Sequence, residues 1–171
     1  MNQFENLSVD AKVVYLLSLS ELIIGKISQS KGYGLVVESL ERGWQWVKYR
    51  NIEASSLYLY LENMDDASIM TYMQFENDNQ REKVWICYGN ALAYIIWEAY
   101  QYEEEKYLPQ TIESVDFETV ESFVTNFNEV FENKSLPVKL LHFLEENYPK
   151  GTSKHVDRNL IKTFINGCME E

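Results

Sequence analysis

Glycine and proline are scarce in this 171-residue chain, with seven and three copies. A many-stranded sandwich or barrel needs a turn signal about every 8–12 residues, so that architecture is excluded. Cysteine occurs twice, at Cys87 and Cys168, and histidine twice, at His142 and His155. Neither residue type stands at a metal-ligand spacing, and two thiols in a chain this long make no disulfide framework. Free thiols in a reducing cytoplasm are the expectation, with no metal and no cofactor. The longest charge-free run in the middle of the chain, Val84 to Trp97, has fourteen residues. A membrane span needs about 20, so none is expected. Met1 to Asn6 lack the basic stretch that opens a secretory signal.

The motifs of common chemistries are missing too. There is no Gly-x-Ser-x-Gly elbow, no phosphate-binding P-loop, no dinucleotide glycine fingerprint and no HExxH pair. Cys87 falls in the middle of the most apolar helical stretch, where burial raises a thiol's pKa and makes it a poor nucleophile. The chain is therefore read as a non-enzyme. Basic residues are too diffuse to make a phosphate-binding face, so no direct nucleic-acid ligand is expected.

What the chain has in quantity is aromatic side chains: twelve Tyr, eight Phe and four Trp. With 46% apolar residues, this suffices for one core and one domain spanning residues 1–171. Apolar spacing reads as helix almost throughout. The expected fold is all-α, a single-domain bundle of about seven to eight helices around a central apolar helix. Helices are expected from near Ser8, over Leu35 to Arg50, from Asn51 to Leu61, after Asp65-Asp66, and over Gln80 to Glu104. Three more are expected from Ser114 to Asn133, from near Pro137, and from Ser153 to Gly167. The alternation Leu57-Tyr58-Leu59-Tyr60-Leu61 also fits a strand, but no partner strand is in sight. Gly89, inside the long helix, is read as a site of close packing. Trp44, Trp85, Leu92, Ile96, Phe117, Val124 and Phe127 are the expected core.

Charge is unevenly spread. Between Glu98 and Glu132 stand ten carboxylates and one base, Lys106, which accounts for most of the formal charge of −12. A solvated surface mixes signs, whereas this segment does not, and its carboxylates at the end of a helix oppose the dipole. Tyrosines interleave with the acids and offer rigid amphipathic contact area beside charge. The expected partner-binding residues are Tyr102, Glu103, Glu104, Glu105, Tyr107, Glu113, Asp116, Glu118 and Glu121. Trp46 joins them because residues two apart on a helix point about 200° apart, so Trp44 and Trp46 face opposite sides. An exposed tryptophan is a strong binding anchor.

Two helices carry a family resemblance. Leu40-Glu41-Arg42-Gly43-Trp44-Gln45-Trp46-Val47, followed by the apolar run from Gly89 to Tyr100, resembles the Imm6 family of bacterial immunity proteins in order and spacing. The likeness extends loosely over residues 8–133. It implies a mostly helical single domain with a characteristic tryptophan, at Trp44 here. It also implies a gene beside a polymorphic toxin and a role in neutralising that toxin, often a nuclease. It implies no catalytic residues. Resemblance and charge agree, because a nuclease is basic around its substrate cleft. The expected function is an immunity protein binding a cognate basic toxin domain, of nuclease type, in the cytoplasm. A helical adaptor and a DNA-mimic inhibitor are the alternatives that composition also allows.

Overall fold

The computed structural model describes residues 2–170. The helices are α1 (Asn2–Glu5), α2 (Val9–Ile23), α3 (Tyr33–Tyr49), α4 (Ala54–Leu61), α5 (Ile69–Gln74), α6 (Asn79–Tyr102), α7 (Gln110–Glu113), α8 (Phe117–Val130), α9 (Leu136–Asn147) and α10 (Arg158–Glu170). A 3-10 turn, Ile24–Ile27, extends α2. Among the described residues the only β pairing is an isolated bridge between Leu7 and Pro149.

The longest helix, α6, has buried side chains on every side, including Trp85, Tyr88, Leu92, Ile95 and Ile96. A helix apolar all round is stable only inside a core. Accordingly α2, α3, α4, α5, α7 and α8 all pack on it, α8 most extensively. The α6–α8 contact is tied by Asn90 Nδ2 donating to Ser122 Oγ at 2.9 Å and by an ion pair between Lys83 and Glu129. The chain from 131 onward folds back differently. There α9 packs on α1, α2 and α10.

Caps fix the helix starts. Ser8, Ser68, Asp78 and Asp116 each accept a backbone N–H from three residues ahead. Ser68 and Asp116 replace the expected Asp65-Asp66 and Ser114. The expected cap at Ser153 is also displaced, because extended chain runs to Asp157 before α10 begins at Arg158. The stretch Leu57 to Leu61 is helical, within α4. Helices α1 and α7 have four residues each, too few to show a period in sequence.

Trp44, Trp85, Leu92, Ile96 and Phe127 are buried as expected. Phe117 and Val124 are only partly buried, packed on the edge of the core. The buried face of α8 runs instead through Val120, Phe123, Phe127 and Val130. Gly89 is also corrected, because a Cβ there meets nothing nearer than 4.0 Å. The close approach lies at Gly32, where a Cβ falls 2.5 Å from the Tyr72 ring and 2.9 Å from Trp85.

Candidate functional site

The carboxylates expected to bind a partner begin where α6 stops. Glu105 N–H bonds to the Tyr100 carbonyl and Glu104 N–H to that of Gln101, both at 3.1 Å. This closure places one residue in the left-handed region, a position glycine usually fills. Here it is Glu104, at φ 55°. The carboxylates on either side have internal work. Glu103 Oε1 accepts the backbone N–H of Ala54 at 2.6 Å, so it caps α4 from another helix. It supplies the side chain that the helix's own preceding residue, Glu53, does not. Glu105 Oε1 accepts the N–H groups of Lys106 and Tyr107 at 2.8 and 3.1 Å, bracing the turn.

The connector is pinned to α4. Thr111 and Tyr58 donate their hydroxyls to Glu62 at 2.8 and 2.7 Å. These bonds, Tyr58's first, hold the Glu62 carboxyl below its ordinary pKa. Asp116 then forms a capping box with Thr119 at the start of α8.

Tyr107 is 88% exposed and Tyr102 59%. Glu104, Glu113 and Glu118 are exposed and Glu121 is half-buried. None of these four carboxylates has an ion-pair partner among the described residues. Some other acids do have them: Asp10 pairs with Arg50, Glu21 and Glu41 with Arg158, and Glu129 with Lys83. The segment thus separates into acids that build the surface (Glu103, Glu105, Asp116) and acids left facing outward without a cation.

Trp46 is a correction. It is fully buried and no part of an accessible surface. Both faces of α3 are covered, by α2 on one side and by α4 and α6 on others, so the 200° separation from Trp44 does not expose it. Trp46 is instead the floor under Tyr102, whose ring meets it edge-on at 6.2 Å. Arg50 lies 3.9 Å over the Trp46 ring and donates to the carbonyls of Trp46 and Val47 at 2.9 and 2.7 Å. Trp44 is held differently: its indole N–H donates to Glu21 at 2.7 Å and Arg158 lies 4.6 Å over the ring.

Glu98, at the segment's start, is not at the surface either. It is 6% exposed and accepts the Tyr94 hydroxyl at 3.1 Å. Burial pushes its carboxyl above the ordinary value, against the opposing pull of the Lys12 charge and of Tyr94. Neither histidine lies in a ligand cluster. His155 faces Asp10 at 3.3 Å and His142 faces Glu146 at 3.7 Å. No group of three or more His, Cys, Asp or Glu suited to a metal occurs among the described residues. Among the described residues no helix is long and apolar enough to cross a membrane.

Sequence reading missed one feature, a groove of about 490 Å³ between α8 and α9. Its signal is the pair Phe117 and Val124, apolar residues of α8 that are only partly buried.

The described residues form a body of helices packed around α6, with exposed carboxylates at the end of α6, in α7 and in the first turn of α8. The family described as Immunity protein Imm6 matches residues 11–130, and the chain belongs to that family. It is an immunity protein directed against a cognate toxin, from a family that is generally non-enzymatic. The match runs from α2 to the end of α8, leaving α1, α9 and α10 outside it. No curated protein and no solved structure matches the chain.

Proposed function

We propose that this immunity protein neutralises a basic toxin domain, of nuclease type, by covering it with the surface formed by the end of α6, the α7 connector and the first turns of α8. The observation that carries the reading is the set Glu104, Glu113, Glu118 and Glu121, exposed or half-buried carboxylates without an ion-pair partner among the described residues, in a segment whose one base is Lys106. Lys and Arg around a phosphate-binding cleft supply the missing charges. Tyr102 and Tyr107 are the aromatic anchors, Tyr102 held from beneath by Trp46 and Arg50. Glu103, Glu105 and Asp116 preserve the shape of the surface rather than contact the partner. The buried free thiols of Cys87 and Cys168 suit a cytoplasmic site of action.

Complementary charge acts mainly on encounter, so association is fast at low salt and slows as salt screens the field. The test is stopped-flow association with the toxin domain encoded by the adjoining gene, in an inactive form, across a salt series. Lys at Glu104, Glu113 and Glu118 together is expected to slow association at least about tenfold and flatten its salt dependence. It should also abolish rescue of cells expressing the toxin. Unchanged association and unchanged rescue overturn the siting.

A further inference from the structure

The groove between α8 and α9 has a composition unlike the acidic surface beside it. One wall is Phe117, Val120 and Val124 of α8; the other is Val138 and Leu141 of α9. Its floor holds Phe4 and Tyr15, which are buried. Val138 is 65% exposed and Leu141 and Phe117 only half-buried, so apolar surface stays open to solvent here. Among the described residues the one charged side chain lining the groove is Glu121, half-buried and without an ion-pair partner there. Glu118 stands one turn away, and α8 contains no basic residue.

We infer that this groove receives an amphipathic helix of the toxin, with an apolar stripe between the walls and Lys or Arg along the edge facing α8. The inference rests on the immunity-protein reading above and assigns that protein a second, apolar contact.

Three observations select this occupant. Both walls are helices, whose backbone hydrogen bonds are internal, so the groove offers no edge for strand addition. An extended segment would bury its own N–H and C=O groups unpaired, whereas a helix satisfies them itself. Second, a half-buried carboxylate in an apolar lining favours a cation brought by the partner, in one orientation only. Third, a second copy of this chain carries the same charge of −12 and the same acidic wall, so self-association is opposed by like-charge repulsion.

The groove also straddles the family boundary. The α8 wall and Tyr15 lie inside residues 11–130, whereas Phe4, Val138 and Leu141 lie outside. The matched region thus supplies one wall, and segments outside the match supply the other.

Two variants test the groove without threatening the fold. V138R places charge at an exposed apolar position. T125R places a cation at an exposed site four residues after Glu121, an arrangement that supports the helix while neutralising the carboxylate. Binding of the inactive toxin domain encoded by the adjoining gene is measured for both, beside wild type and E113K. Each groove variant is expected to weaken binding at least about tenfold with an unchanged melting temperature. A photo-crosslinker at position 138 is expected to mark toxin residues three or four apart. If wild type binds and both variants bind within about twofold of it, the groove inference fails and the immunity reading stands. Crosslinks at alternate residues of a strand also overturn it. If wild type does not bind the toxin, both readings fall. Loss of binding in the groove variants with none in E113K supports the groove and relocates the acidic contact.

Discussion

The Glu103 carboxylate accepts the Ala54 backbone N–H at 2.6 Å, joining the end of the central helix to the start of α4. A carboxylate misplaced with respect to its own helix dipole is thereby well placed for another's. Replacing a capping acceptor with alanine costs about 0.5–2 kcal/mol. Glu103→Ala should lose stability by that amount in urea melts. Glu113→Ala, which removes no internal bond, should stay within about 0.5 kcal/mol of wild type while weakening toxin binding.

Glu104 holds a left-handed conformation that disfavours any side chain with a Cβ. Glu104→Gly should relieve that strain and stabilise the fold by up to about 1 kcal/mol, seen as a rise in Tm. It also removes an unpaired outward carboxylate, so toxin association should slow. A variant both more stable and slower to associate marks the residue as retained for binding. Loss of stability on this change would contradict the cap geometry.

Glu98 sets one limb of the pH dependence. Its folded pKa is raised by burial, so its favourable contribution is complete below the ordinary carboxylate pKa and is lost as pH rises through the raised value. Glu62 works in the opposite sense. Its lowered pKa contributes stability above the ordinary value, which is lost as pH falls through the lowered one. Glu98→Gln keeps an acceptor for Tyr94 and removes the charge. It should raise Tm at pH 7, with little change at pH 4 or below. An equal gain at both pH values would show that ionisation of Glu98 is not responsible.

Two glycines should respond oppositely to alanine. At Gly32 the added Cβ meets two aromatic rings at 2.9 Å or less, and overpacking of this kind costs about 1–3 kcal/mol. At Gly89, mid-helix, an added Cβ meets only ordinary contacts at 4.0 Å from Ile69 and Met73, so alanine should stabilise by up to about 1 kcal/mol through helix propensity. Thermal melts of the two variants check both signs.

The helices were legible because their apolar spacing is long and regular. The exceptions have physical causes. Ser68 and Asp116 cap where Asp65 and Ser114 were expected, since cap choice depends on which residue leaves helical geometry first. Trp46 read as outward because a single helix has an inside and an outside, whereas α3 is enclosed on more than one side. Glu98 read as one more surface acid, since its burial comes from the packing around α6 rather than from its sequence neighbours. Acidic character was plain in composition, but which acids are paired was not. Glu103 reaches Ala54 across 49 residues, and Lys83 reaches Glu129 across 46. No local pattern encodes such partners.

The groove's two walls belong to parts of the chain with different anchorage. Its α8 wall lies against the central helix, which most of the molecule must release before it can move. Its α9 wall is held through α1, α2 and α10, with Arg158 bridging to Glu21 and Glu41. Amide hydrogen exchange should therefore be graded, with α9 and α10 opening in a cheaper, sub-global step and α6 and α8 only on global unfolding. The α9 wall is then the more yielding one, able to adjust its spacing to a helix that the fixed wall has already met.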